Sequence, residues 1–170
     1  MNYSTIKWVD VANGEGMRMS LFVSGCKHAC PQCFNEEAWD FGYGSPYTNE
    51  IEEEILERLG HDYIRGLSLL GGEPLDPRNQ SAILNLVERA KKRYPEKDIW
   101  CYTGYRFEEL DSIGDLAMEI LSYIDVLVDG KFVASLKNLS LAFRGSENQR
   151  IIDVAQSLEG GSVVLDLRYP

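Results

Sequence analysis

The chain has 170 residues, 44% of them hydrophobic and 26% charged, and a formal net charge of -10. That balance suits a globular protein with one sound core and excludes a disordered one, and the length makes a single domain over 1–170 the expectation. The acidic charge repels polyphosphate, and no apolar run approaches the roughly 18 residues of a bilayer span, so neither nucleic acid nor membrane is an expected partner.

The opening segment MNYSTIKWVD has no basic stretch leading into an apolar one, and a soluble, cytoplasmic protein is expected. Residues 4–11 carry Ile6, Trp8, Val9 and Val11, and Asn13-Gly14 with Gly16 turn the chain into a strand at 17–24, by a hairpin or a loop return. Gly14-Glu15-Gly16 is too short for a phosphate loop and reads as a turn.

Cys26, Cys30 and Cys33 follow that strand, three of the chain's four cysteines. Inside a cell such clustering points to metal or redox chemistry rather than disulfides. Structural zinc would need a fourth ligand, with His28 and Cys101 available. A four-iron cubane needs no fourth thiolate and leaves one iron open, although the C-x3-C-x2-C spacing differs from the ferredoxin run. Spacing alone leaves both open, along with unliganded thiols.

Residues 35–47 are rich in aromatics and glycine, suiting an ordered loop or short helix that shields the cysteine loop. A helix is predicted over 50–59, with Ile51, Ile55, Leu56 and Leu59 on one face, Asn49 and Glu52 as a capping box and Gly60 as its end. Strand 66–70 stops abruptly at GGEP, 71–74, and a second helix is predicted over 79–93, its Arg89, Lys91, Lys92 and Arg93 forming a solvated face that suits the helix dipole. Strand 98–103, a helical stretch 107–121 interrupted at Gly114, and strand 124–128 complete the repeated pattern. Residues 131–150 are expected to be a long polar loop, and two short strands, or a strand and a turn, to close the chain.

Strand, breaker and helix recur in the order of right-handed βα units, which predicts an α/β fold with an open, incomplete (β/α) barrel-like, mainly parallel sheet. Too few units exist for a closed eight-stranded barrel. Ligand sites in such sheets lie at the carboxyl ends of the strands, where the cysteine loop, GGEP, Tyr102 to Tyr105 and Asp129-Gly130 would meet.

With C-x3-C-x2-C after the first main strand and GGEP after the next, the sequence resembles the radical S-adenosylmethionine enzymes. FVSGC, CFN at 33–35, YTGY at 102–105, DVLVDG at 125–130 and FRGSENQRIID at 143–153 bring it nearest to the glycyl radical enzyme activases, specifically those serving anaerobic ribonucleoside-triphosphate reductase. The resemblance covers nearly the whole chain, without the added ferredoxin-type region that some activases carry. It implies an oxidoreductase that cleaves S-adenosyl-L-methionine reductively and takes hydrogen from a glycine of the large reductase subunit. It further implies a one-electron donor such as a flavodoxin or ferredoxin.

Carried over, Cys26, Cys30 and Cys33 would bind a [4Fe-4S] cluster. Asn35, Gly71, Gly72, Glu73, Tyr102, Thr103, Gly104 and Asp129 would face the cofactor, and Arg144, Ser146, Asn148 and Gln149 the partner. Gln32 stands where the family usually has an aromatic residue. No catalytic base is implied beyond cluster and cofactor, so His28 and His61 are left as surface or packing residues and Cys101 as a buried small hydrophobe. The alternatives are another small radical enzyme acting on a peptide or protein, and a zinc-stabilised interaction domain.

Overall fold

In a computed structural model describing residues 1–169, the chain opens with strands β1 (Asn2–Asp10) and β2 (Arg18–Val23), paired antiparallel as a hairpin. Then come β3 (Ser45–Pro46), α1 (Asn49–Leu59), β4 (Gly66–Gly71), α2 (Pro77–Arg93) and β5 (Asp98–Tyr102). Helix α3 (Ala117–Leu121), β6 (Val126–Asp129), β7 (Arg150–Asp153) and α4 (Val154–Gly160) complete the order. The sheet runs β3-β1-β2-β4-β5-β6-β7, with β2, β4, β5 and β6 parallel and an antiparallel margin on each side. It is the open, mostly parallel sheet of a partial (β/α) barrel. Among the described residues, no helix is long and apolar enough to cross a membrane.

Because successive strand residues face opposite ways, each central strand builds two surfaces. Met19, Leu21, Leu67, Leu69, Ile99, Cys101 and Leu127 face the helices and bury against Ile55, Leu56, Ile83, Leu86, Val87 and Ile120. Each large side chain buried this way contributes on the order of 1.5–3 kcal/mol. The alternate positions turn inward: Trp100, Val126, Val128 and Ile151 form a second cluster, with Tyr102, Phe143 and Tyr169 packed against it. Beside it lies a polar floor, where buried Arg18 donates to Ser68 Oγ, to the Leu67 carbonyl and to Asp98.

The first helix is capped by Thr48, whose side-chain oxygen accepts from the Ile51 N–H, and not by Asn49. Glu52 is no capping partner either. Its buried carboxylate accepts from Asn85, Arg89 and the Tyr47 hydroxyl, stapling α1 to α2, because a charge on the helix-facing side must find partners once desolvated. The cationic end of α2 is likewise engaged: Arg89 and Arg93 meet Glu53, and Lys91 meets Asp125. Helix α2 starts earlier than the predicted 79, with Asp76 as cap and Pro77 in its first turn. At the chain's end only β7 and an isolated Ile152–Leu165 bridge are extended, and the seven-residue α4, capped by Asp153, lies between them.

Candidate functional site

The carboxyl ends of β2, β4, β5 and β6 are joined by backbone and side-chain hydrogen bonds into one rim. Gly72 N–H donates to the Val23 carbonyl at 2.7 Å and Glu73 N–H to the Gly25 carbonyl at 2.8 Å, laying GGEP against the start of the cysteine loop. Glycine is required for this approach. Gly71 sits at φ +102°, and a Cβ on Gly72 would come 2.6 Å from the Gly25 carbonyl oxygen. Farther along, Thr103 N–H reaches the Val128 carbonyl and Gly130 N–H the Tyr105 carbonyl.

Glu73 is the hub of this rim. Its carboxylate is 1% exposed and accepts from Leu75 N–H and Thr103 Oγ1 at 2.9 Å and from Gly104 N–H at 2.8 Å. His28 Nε2 lies 2.8 Å from the same carboxylate, and its ring packs edge-on against Tyr105. His28 is therefore a tie between the cysteine loop and GGEP rather than a surface residue. Gly104 makes room for it, since a Cβ there would fall 2.4 Å from the imidazole. The sequence signal was its place inside the loop, but nothing local marked its partner 45 residues away.

One cavity of about 630 Å³ opens on this rim. Cys26, Cys30, Cys33, Asn35, Gly71, Gly72, Glu73, Tyr102, Thr103, Gly104, Arg144 and Gln149 all line it. Asn35 also bears on the loop itself, its N–H donating to Cys33 Sγ at 3.4 Å. Asp129 lies outside this lining: buried, it accepts from Arg150 Nε and from Phe107 N–H. Ser146 and Asn148 lie outside it too. Ser146 Oγ accepts from Val133 N–H, Asn148 Nδ2 donates to the Lys131 carbonyl, and Gln149 accepts from the Gly145 and Ser146 N–H groups. Together they pin the 131–150 loop, which carries a 3-10 turn at Ala134–Leu136 and a bridge from Lys137 to Ser146. Sequence reasoning missed Trp39, Phe132 and Phe143 in the cavity wall. The first was legible only as one aromatic among several, and the others lie in a segment without periodicity.

Cys26, Cys30 and Cys33 are a set of three thiol donors in the lining of one cavity. Among the described residues, no three His, Cys, Asp or Glu side chains are placed to hold one metal ion. Both candidate fourth ligands for zinc are committed: Cys101 is buried on the helix side of β5, and His28 is bound to Glu73. Burial, together with Glu73, Cys30 and Cys33 nearby, pushes the Cys26 thiol up to about 11, and burial and Cys33 push Cys30 up against the opposing influence of Lys131 and the Phe132 N–H. Trp39 Nε1 and the Tyr102 hydroxyl, on residues that line the cavity, are buried with no hydrogen-bond partner among the described residues.

Comparison with known proteins agrees. Residues 12–152 match the family described as 4Fe-4S single cluster domain. The chain is 49% identical over 153 residues to the anaerobic ribonucleoside-triphosphate reductase-activating protein of Vibrio cholerae, covering 89% of this chain and 97% of that one. The chain belongs to the anaerobic ribonucleoside-triphosphate reductase-activating proteins. Within the family it is 47% identical over 151 residues to the Escherichia coli protein, covering 88% and 96% of the two chains. The activating protein of Enterobacteria phage T4 is 44% identical over 151 residues, covering 89% and 93%. Cys26, Cys30, Cys33 and the GGEP rim all fall within the matched 4Fe-4S region.

Proposed function

We infer that this chain activates an anaerobic ribonucleoside-triphosphate reductase by creating a glycyl radical on the reductase's large subunit. It is a radical S-adenosylmethionine oxidoreductase, and Cys26, Cys30 and Cys33 are the residues assigned to a [4Fe-4S] cluster. The observation that carries the reading is that these thiols and the GGEP rim line one cavity. When bound, the reduced cluster and S-adenosylmethionine supply reductive cleavage of the cofactor's C5′–S bond, the source of the hydrogen-abstracting power.

The chain's own residues bind, orient and exclude water. Glu73 holds GGEP, Thr103–Gly104 and His28 in one frame, and Gly71, Gly72 and Asn35 line the cavity beside the thiols. Tyr102 and Trp39 line the same cavity beside the thiols. Phe22, Leu70 and Phe143 give the cavity dry walls, which limit side reactions of a reactive centre. Arg144, in the cavity lining, is assigned to the entering glycine-bearing segment, with Ser146, Asn148 and Gln149 shaping the loop that presents it. Asp129 is assigned a positioning role through Arg150 in place of a cofactor contact.

The test is product analysis. Anaerobically reconstituted protein, reduced in the presence of S-adenosylmethionine and the large reductase subunit, is expected to yield methionine and 5′-deoxyadenosine. Failure of a fully loaded, reduced protein to release them overturns the assignment.

A further inference from the structure

We propose that Tyr169 is a positioning residue for radical transfer, clamping Phe143 into the cavity wall so that the entering reductase segment seats in one way. This deepens the activase reading and rests on it. Phe143 lines the cavity one residue before Arg144, and its backbone lies at φ +55°. A bulky side chain in the left-handed region costs energy and persists only where its neighbours over-determine it.

Two rings supply that constraint. The Phe143 ring meets Trp100 at 5.3 Å and 78° and Tyr169 at 5.3 Å and 81°, while Tyr169 meets Trp100 at 5.6 Å and 65°, closing an edge-to-face triangle. Trp100 is fixed, 1% exposed in β5 within the inward cluster. Tyr169 comes from the tail beyond α4, which is fastened in turn. Asp166 N–H donates to the Ile151 carbonyl at 2.9 Å, laying the tail beside β7. Arg168 pairs with Asp166 at 2.6 Å and with Glu15 at 3.3 Å. The Tyr169 hydroxyl donates to Glu15 Oε2 at 2.9 Å, and the Glu15 carbonyl accepts from buried Arg18. Arg144 Nη1 lies 3.5 Å from the Tyr169 carbonyl, so two consecutive loop residues rest on one tail residue.

The bonds of Ser146, Asn148 and Gln149 hold the base of the 131–150 loop, whereas Phe143 is held through its ring. A wall fixed in this way limits the poses open to a glycine-bearing segment. Transfer of hydrogen is sensitive to that pose, since a misplacement of about 1 Å far from the chemistry can cost about a hundredfold in rate.

The test compares Tyr169→Ala and Tyr169→Leu, which lose the ring, with Tyr169→Phe, which keeps it and loses only the hydroxyl bond to Glu15. In the full, cluster-loaded chain, amides of residues 138–145 are expected to exchange hydrogen about tenfold faster in the first two variants, with β4 and β5 protected as in wild type. With the reduced protein, S-adenosylmethionine and the large reductase subunit, the 5′-deoxyadenosine released per glycyl radical formed should rise about threefold or more in the same two variants. Iron and sulfide content should not change, and Tyr169→Phe should match wild type in both readouts. Unchanged loop exchange or an unchanged ratio in the ringless variants overturns the proposal. Faster exchange throughout the sheet reduces Tyr169 to a general stabilising residue and also overturns it, as does Tyr169→Phe behaving like Tyr169→Ala. The activase reading fails separately, if reduced wild-type protein leaves no radical on the reductase.

Discussion

His28 Nε2 and Glu73 Oε2 lie 2.8 Å apart, across 45 residues of sequence, and this contact ties the cysteine loop to the end of β4. Since Thr103 and Gly104 bind the same carboxylate, one buried side chain sets the relative position of three loops. Glu73→Gln puts an amide donor where donors already converge, costing about 1–3 kcal/mol, or a fall in melting temperature of about 2–4 °C per kcal/mol. Cofactor affinity is expected to fall about tenfold to a hundredfold while the cluster still assembles. Thermal unfolding and calorimetry with S-adenosylmethionine measure the two effects. An unchanged melting temperature and affinity would remove Glu73 from this role.

Cys26→Ala, Cys30→Ala and Cys33→Ala should each prevent assembly of the four-iron cluster, because each removes a thiol from the one cavity. Cys101→Ala should retain full iron and sulfide and lose only packing, about 1 kcal/mol, since Cys101 is fully buried among apolar side chains on the other side of the sheet. Full loading in any loop variant contradicts the ligand assignment.

Arg150 joins buried Asp129 to exposed Glu108. Removing it in Arg150→Ala strands a buried carboxylate and is expected to destabilise the chain by about 3 kcal/mol. The Arg150 guanidinium holds the Glu108 carboxyl down to about 2 from its ordinary 4.5. The associated stability is therefore present above about pH 4.5 and lost as pH falls toward 2, a small contribution because Glu108 is mostly solvent-exposed. Denaturant unfolding across this range should show a weaker acid dependence in Arg150→Ala than in wild type. An identical acid slope would show that the pair carries no linkage.

The βα order, the three thiols and the GGEP rim were legible because each depends on local sequence: apolar runs, glycine breakers and short spacings. What escaped was set by distant partners. Glu52 looks like a capping residue until Arg89 and Asn85 are brought beside it. Asp129, read as a site residue at a strand end, is met there by Arg150 on the antiparallel β7, a partner that nothing local in the sequence marks. Helix α4 is short, with only Val154 and Ser157 buried along it, too little for a visible period.

Arg144→Ala is expected to spare cluster content and to impair complex formation or radical transfer, since Arg144 lines the cavity from a pinned loop and supplies no thiol. Partner affinity by calorimetry and the rate of radical formation measure this. Normal values of both contradict a partner-facing role for the loop.

The central claim is that this chain makes a radical on another protein. Its most direct measurement is electron paramagnetic resonance on the anaerobically reduced protein mixed with S-adenosylmethionine and the large reductase subunit, beside a control in which the partner's target glycine is replaced by alanine. The account predicts a stable glycyl radical signal in the first mixture and none in the control. Cofactor cleavage without that signal contradicts the activase assignment and favours a radical enzyme acting on another peptide or protein.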